Sequence, residues 1–219
     1  MIPSTLAHPH DEGRSGGIVV LTAGGPLANI VVNGLSQRLG PLTVIEETPE
    51  AKGRVIRRRA RLLGWATALG QVGFGVAQRL LWPNTERIEA IWRLHGLNPS
   101  PPRHVTVHRV PSVNSHECRR LLAALAPDVV AVYGTRILKR ETLRAVPAPF
   151  INYHAGINPK YRGQHPGYWA LAEGDEENAG VTIHLVDEGV DTGSVLYQAR
   201  VTFAPEDTIA SYQHLQAAH

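Results

Sequence analysis

The segment "GIVVLTAGGPLANIVVNGLSQRL", residues 17–39, joins an apolar run that stops at glycines to apolar residues at helical spacing. Residues 17–25 have the continuous hydrophobicity of a buried strand, and the residues after them place their apolar side chains on one helical face. The segment therefore predicts a strand, a glycine loop and a helix. The apolar positions of the helix are Leu27, Ile30, Val31 and Leu35.

Strand-like and helix-like segments alternate along most of the remaining chain, which predicts an α/β fold with a parallel sheet. Residues 115–127 have the pattern of a helix between two strands. The further predicted strands are 42–47, 104–110, 128–134 and 149–154.

The pattern changes after residue 180. Residues 180–186 and 194–203 are predicted strands, and the short segment between them leaves no room for a crossover helix. They are expected to pair as an antiparallel hairpin, so the fold class is Rossmann-like with a mixed, mostly parallel sheet flanked by helices. Residues from Glu206 onward predict a closing helix with Asp207 near its N-terminus.

Composition limits the class of protein. The chain has 219 residues, of which 43% are hydrophobic and 19% charged, as expected for one globular domain. Cys118 is the only cysteine, which excludes an intrachain disulfide and favours a reducing, cytoplasmic location. Residues 1–16 are polar with Pro and Gly and predict a flexible leader, so residues 17–219 are the expected folded domain.

Residues 51–97 form an unusual helical insertion between the second and third predicted strands. Its first part, 52–61, holds six Lys or Arg and no acid, although the net charge of the chain is only +3. One interpretation of 52–81 is a basic amphipathic element that contacts an anionic membrane. The other is a solvated basic face on helices that pack against the core or a second subunit, which would be a homodimer contact.

Three polar segments stand where loops follow strands, the usual ligand-binding edge of a parallel sheet. Asn152 and His154 are two residues apart on one predicted strand, so their side chains share a face. Asp191 lies in the turn of the predicted hairpin, and Arg136 follows the strand 128–134. Each residue alone has a structural explanation, since Asn, Asp and His are common in turns and Arg136 could be a solvated cation.

In this order and spacing, the three segments resemble the formyltransferase family that uses 10-formyltetrahydrofolate. The resemblance covers roughly residues 104–215. Its motifs are an Asn-x-His strand end followed by "INPKYRG", the segment "YGTRIL" (133–138), and "GVTIHLVDEGVDTG" (180–193).

The resemblance implies the formyltransferase fold and a set of site residues. Asn152, His154 and Asp191 match the catalytic trio of the family. Two loops match those that hold the pterin of the folate. These are Arg136, Ile137 and Leu138, and Val186, Asp187, Glu188, Gly189 and Val190. The first glycine loop, with Gly24 and Gly25, departs from the family pattern, so it is only a candidate for acceptor binding at a helix N-terminus.

The predicted chemistry gives each member of the trio a task. Transfer of a formyl group to an amine needs a donor for an oxyanion, which the Asn152 amide supplies, and proton transfer by His154 with the help of Asp191. Several histidines, among them His165 and His184, raise the alternative of a metal site. No metal is expected, because no Cys or His/carboxylate cluster has ligand spacing. The glycine loop also lacks the G-x-G-x-x-G spacing of a dinucleotide site.

The leading hypothesis is therefore an N-formyltransferase with 10-formyltetrahydrofolate as cosubstrate and a small-molecule primary amine, such as an amino sugar, as acceptor. Two alternatives remain: a formyltetrahydrofolate hydrolase and a non-catalytic folate or nucleotide binder on the same fold. No nucleic-acid partner is expected, because the chain ends at His219, soon after the core, without the tRNA domain of methionyl-tRNA formyltransferases.

Overall fold

The structure, a computed structural model, describes residues 16–81, 84–163 and 165–219. The predicted leader lies outside the described residues except for Gly16.

The described residues form a seven-stranded sheet in the order β3-β2-β1-β4-β5-β6-β7. The first five strands in this order are parallel, and β6 and β7 pair antiparallel, which confirms the predicted mixed sheet and hairpin. The strands are β1 (Ile18–Thr22), β2 (Leu42–Glu47), β3 (Thr106–Val110), β4 (Val129–Tyr133), β5 (Phe150–His154), β6 (Gly180–Leu185) and β7 (Val195–Arg200).

Helices connect and flank these strands. They are α1 (Pro26–Leu39), α2 (Lys52–Leu63), α3 (Trp65–Leu81), α4 (Thr85–His95), α5 (His116–Leu125), α6 (Arg140–Leu143), α7 (Pro166–Ala172) and α8 (Tyr212–Gln216), with a 3₁₀ turn at Glu176–Asn178.

The opening segment of the sequence folds as predicted into β1, a glycine loop and α1. Gly25 has φ 92° and stands directly before Pro26, whose fixed φ suits the first turn of a helix. Side chains of β1 alternate between the two faces of the sheet. Val19 and Leu21 pack with α5, whereas Val20 packs with α1 on the opposite face.

The segment 51–97 divides into two structurally different parts. Helix α4 belongs to the body of the domain, because Ile91 is 1% exposed and packs with Leu215 of α8 and Val181 of β6. In α2 and α3, by contrast, Ala60 and Ala68 are the only buried residues among the side chains that the structure describes. Apart from Ala68, the described side chains of α3 are not buried in the core, and for them the interpretation that the helix packs against the core is wrong. Across the described ranges, no helix has both the length and the apolar character needed to cross a bilayer.

The predicted closing helix is shorter than the sequence indicates. Only Tyr212–Gln216 is helical, and the residues before it form turns. Asp207 holds these turns, because its carboxylate accepts bonds from the Ala204 N–H and the Ser211 hydroxyl and forms a two-point ion pair with Arg87 at 2.8 and 3.0 Å. The hydrogen bonds and the ion pair of the buried Asp207 carboxylate stabilise these turns more than the local sequence stabilises a helix over the same residues.

The contact between α4 and α8 predicts a loss of stability in mild acid. Trp92 Nε1 donates to His214 Nδ1 at 3.0 Å, and burial lowers the pKa of His214. The pKa of His214 in the folded state therefore lies below its unfolded value of about 6.5. The contribution of this contact to the free energy of unfolding is fully present above about pH 6.5, and it is lost as the pH falls from there through the folded-state pKa. Urea unfolding between pH 5 and 7 should show a smaller pH slope in His214→Gln than in wild type. His104→Gln, which changes an exposed histidine, is the matched control.

Candidate active site

An open cavity of about 700 Å³ lies at the carboxyl ends of the central strands. It extends from Gly24 after β1, across Gly134 after β4, to Asn152 and His154 on β5. The strand order changes direction between β1 and β4, and such a switch point is where open α/β sheets bind ligands.

The face shared by Asn152 and His154 is the face that lines this cavity. Both residues lie on β5, where Asn152 is paired in register with His184 of β6. Asn152 Nδ2 lies 3.1 Å from His184 Nε2. One of the two amide N–H groups of Asn152 can donate to His184, which leaves the second for a ligand.

Asp191 reaches the same point from the turn between β6 and β7. It has φ 51°, a left-handed conformation that Asp and Asn tolerate better than most residues. Its carboxylate accepts the Gly163 N–H at 3.1 Å and lies 3.5 Å from both His154 Nδ1 and His184 Nε2. The turn thus brings a carboxylate between two imidazoles that are fixed on neighbouring strands.

The sequence "DEGVDTG" builds this turn through close contacts. Asp187 Oδ1 accepts the Gly189 N–H at 3.0 Å and the Thr192 hydroxyl at 2.6 Å. A Cβ on Gly193 would lie 1.7 Å from the backbone oxygen of Leu185, and one on Gly189 would meet the Thr192 hydroxyl at 1.9 Å. Any other residue at Gly193 would displace the backbone of this turn, and one at Gly189 would displace the Thr192 side chain.

The Asp191 carboxylate and the His184 imidazole shift each other's pKa. Burial raises the pKa of Asp191, but hydrogen bonding with His184, the charge of His154 and the Gly163 N–H together bring it below its usual value. Hydrogen bonding to Asp191 raises the pKa of His184. Nδ1 of His184 lies 2.8 Å from the Leu185 carbonyl, which can only accept, so Nδ1 donates and Nε2 is the ring nitrogen left for the cavity.

His154 is held by one ring nitrogen and free to exchange a proton at the other. Its Nε2 lies 2.9 Å from the carbonyl of Tyr161, which can only accept, so Nε2 must donate. Nδ1, which faces Asp191, is then unprotonated in the neutral ring and protonated in the imidazolium. His154 is 7% exposed, so the orientation of this ring is well defined.

Arg136 uses its side chain for structure. The guanidinium donates to Glu47 Oε2 at 2.8 Å and to the Thr48 carbonyl at 2.8 Å, and the Arg136 N–H donates to Glu47 Oε1 at 2.7 Å. Glu47 is 2% exposed at the end of β2 and also accepts the Val113 N–H. These bonds fix the loop after β4 that forms one wall of the cavity.

Replacing Arg136 with Ala should lower the free energy of unfolding by about 2 kcal/mol, because a buried Glu47 carboxylate loses its countercharge but keeps two backbone donors. Chemical denaturation should show this loss at pH 7. Arg103→Ala, at an exposed position, serves as the control. A loss equal to that of the control would show that Glu47 is adequately satisfied by the backbone alone.

The cavity wall contains most of the residues that the family resemblance suggested. Two of them do not line it. Glu188 instead pairs with Arg140 at 2.5 Å, and Gly25 stands behind Gly24 at the start of α1. Those that do are Gly24, Arg136, Ile137, Leu138, Asn152, His154, Val186, Asp187, Gly189, Val190 and Asp191.

Sequence reasoning missed three further contributors. The sequence singles out His184 only as a candidate metal ligand, although the predicted pairing of β5 with β6 is the signal that places it beside Asn152. Glu47 could have been noticed as an acid closing an apolar strand. The Tyr161 carbonyl left no signal in the sequence. Among the residues described by the structure, no group of His, Cys, Asp or Glu is arranged to hold a metal ion.

Comparison with known proteins identifies the family to which the chain is similar. Residues 90–218, more than half of the chain, match the model of the formyl transferase family. A methionyl-tRNA formyltransferase of Koribacter versatilis is 46% identical over 99 residues, which are 45% of this chain and 31% of that protein. One from Anaeromyxobacter sp. strain K is 44% identical over 108 residues, 48% of this chain and 34% of that protein. The matched segment thus spans about a third of each curated relative.

Solved structures agree on the fold over nearly the whole chain. A glycinamide ribonucleotide transformylase from Symbiobacterium toebii has a TM-score of 0.59 and 21% identity, covering 98% of this chain and 86% of that one. A sugar N-formyltransferase from a Shewanella species has a TM-score of 0.54 and 15% identity, covering 94% and 66%. With the family match over residues 90–218 and this shared fold, the chain belongs to the formyl transferase family.

Proposed function

We propose that this chain catalyses transfer of a formyl group from 10-formyltetrahydrofolate to a primary amine. The observation that carries the proposal is the convergence of the Asn152 amide, the His154 imidazole and the Asp191 carboxylate in one open cavity of a formyl transferase domain. A folate-binding protein without catalysis would not need a donor, a proton acceptor and a carboxylate at the same point.

The free N–H of Asn152 is suited to the charge that develops during transfer. The amine nitrogen attacks the formyl carbon, and the carbonyl electron pair moves to oxygen, which becomes an oxyanion. A fixed amide donor stabilises that oxygen more than the neutral carbonyl before it. The bond from Asn152 to His184 holds the amide in place before the substrate arrives.

His154 and Asp191 account for the protons. The attacking amine must lose a proton, and the folate nitrogen must gain one as its bond to the formyl carbon breaks. His154 Nδ1 can accept the first proton, since its Nε2 is committed to Tyr161. Asp191, 3.5 Å away, favours the imidazolium that forms, so the ring can return a proton to the leaving nitrogen.

The folate ring system would lie between the loop after β4 and the loop after β6. Arg136 contributes mainly by fixing the first loop, since its guanidinium is bound to Glu47. Ile137 and Val190 line the cavity with side chains that are 66% and 48% exposed. Exposed apolar groups at the mouth of a cavity are suited to covering a flat aromatic ring.

The acceptor could belong to two classes of amine. The first is a small-molecule amine such as an amino sugar, as expected from the sequence. The second is the amino group of methionyl-tRNA, which is favoured by curated relatives that carry this name and are 46% and 44% identical over the matched segment. Both are primary amines and would react through the same trio.

The test is incubation with 10-formyltetrahydrofolate and either a panel of nucleotide-linked amino sugars or methionyl-tRNA, with the formylated product detected by mass spectrometry. The proposal expects product and tetrahydrofolate in equal amounts with one of these acceptors. Release of tetrahydrofolate without any acceptor would instead indicate a hydrolase. Folate binding by calorimetry without turnover would leave only a binding protein.

A further inference from the structure

Helix α3 presents an apolar stripe that the domain does not cover. Trp65, Leu69, Val72 and Val76 are spaced i, i+4, i+7 and i+11, so they lie on one helical face. Their exposed fractions are 61%, 58%, 41% and 53%. Single exposed apolar residues are ordinary, but a continuous stripe over three turns of one helix indicates a surface that contacts something apolar.

The preceding helix presents a basic stripe. Arg54, Arg57 and Arg61 are spaced i, i+3 and i+7 on α2 and are all exposed. They line an open groove of about 580 Å³, in which Glu50 is the acidic residue. Residues 52–81 as a whole contain seven Lys or Arg and no Asp or Glu.

The two helices are joined at Gly64. The Gly64 N–H donates to the Ala60 carbonyl at 3.0 Å, and the Gly64 carbonyl accepts the Ala68 N–H at 3.1 Å. Gly64 has φ 86°, which a residue with a side chain rarely adopts, and it separates the basic helix from the apolar one. Trp65 stands at this junction, between the cations and the apolar stripe.

We propose that the α2–α3 element, residues 52–81, docks the protein on the surface of a bilayer that contains anionic lipids. The arginines would bind the headgroups, the apolar stripe would enter the region below them, and Trp65 would lie at the boundary. The element enters one leaflet only. The α2–α3 element follows the carboxyl end of β2 in the chain. Glu47, the last residue of β2, binds Arg136 in the wall of the cavity. Docking through the element would therefore keep the cavity close to the membrane.

Charge and polarity favour a bilayer over other occupants. A symmetric contact between two copies through this element would bring two basic stripes together, with no acid in 52–81 to compensate. A nucleic acid would bind the arginines but leave the apolar stripe in water. An anionic bilayer supplies a partner for both stripes.

The experiment is sedimentation of the protein with vesicles of phosphatidylcholine alone or mixed with phosphatidylglycerol, at low and high salt. The proposal expects pelleting with the anionic vesicles, much less at high salt and none with neutral vesicles. Arg54→Gln/Arg57→Gln/Arg61→Gln should weaken partitioning roughly 100-fold, since each basic residue near an anionic surface contributes about fivefold. The matched control, with the same charge change at exposed sites, is Arg103→Gln/Arg120→Gln/Arg200→Gln.

The apolar stripe is tested in the same assay. Trp65→Ser/Leu69→Ser/Val72→Ser should abolish pelleting, whereas Leu39→Ser/Leu94→Ser, at residues 58% and 77% exposed outside the element, should not. Absence of pelleting at low salt, or equal loss in the control variants, would overturn the proposal. So would a dimer in solution that the apolar variant dissociates, because the stripe would then be covered by a second copy. None of these outcomes depends on formyl transfer.

Discussion

Asn152→Ala is expected to lower kcat roughly 10²–10³-fold, the usual cost of removing one oxyanion donor. The affinity for folate should change little, because the proposed folate walls are the loops after β4 and β6 and Asn152 faces the reacting centre. Steady-state kinetics and calorimetry with tetrahydrofolate separate the two effects.

The matched variant for this experiment is His184→Gln. His184 lies 3.1 Å from Asn152 Nδ2 and positions the amide, but under the proposal it does not touch the oxyanion. A glutamine oxygen can accept from Asn152, so its effect on kcat should be clearly smaller. If Asn152→Ala changes only KM, the amide binds substrate and transition state equally and is not the oxyanion donor.

The sequence was sufficient for the central sheet because its inner strands β1 and β4 are strongly apolar and bounded by glycines or prolines. Residues 17–39 show this best, since the strand, the glycine loop and the helix each have a separate local signal. The hairpin could be predicted as well, because the segment between β6 and β7 is too short for a crossover helix. These features depend on neighbours in the chain, which a single sequence records.

Long-range contacts could not be read in the same way. Asp207 was assigned to the start of a helix, and only the structure reveals that Arg87 of α4 binds it. Arg136 was expected at the folate, yet its guanidinium pairs with Glu47, 89 residues away in the chain. In both cases a buried charge finds its partner through the fold, and no local pattern identifies that partner.

The exposure of α3 was also beyond the sequence. The segment from Trp65 to Leu81 has the apolar composition of a core helix, and packing against the body of the domain was the more ordinary expectation. Helix α4, by contrast, packs Ile91 into the body of the domain. Which of two apolar helices packs into the core is a feature that only three-dimensional contacts reveal.

Asp191→Asn is the second substitution with a large expected effect, and it separates the charge of this residue from its role in the turn. Asparagine tolerates the φ of 51° and can still accept the Gly163 N–H, so the turn should persist. The lost charge no longer favours the His154 imidazolium. Proton transfer of this kind contributes roughly 10²–10⁴-fold, so kcat should fall by at least about 10²-fold.

The same variant has a readout that does not depend on turnover. Hydrogen bonding to Asp191 is the main cause of the raised pKa of His184, so this pKa should move down in Asp191→Asn. Titration of the imidazole C–H signals by NMR would measure the shift, and His184→Gln identifies the resonance. A lowered kcat with an unchanged His184 pKa would mean that the carboxylate acts on His154 alone. If neither kcat nor the His184 pKa changes, Asp191 serves only the turn. A carboxylate that takes part in the chemistry 3.5 Å from two imidazoles would change at least one of these quantities when it loses its charge.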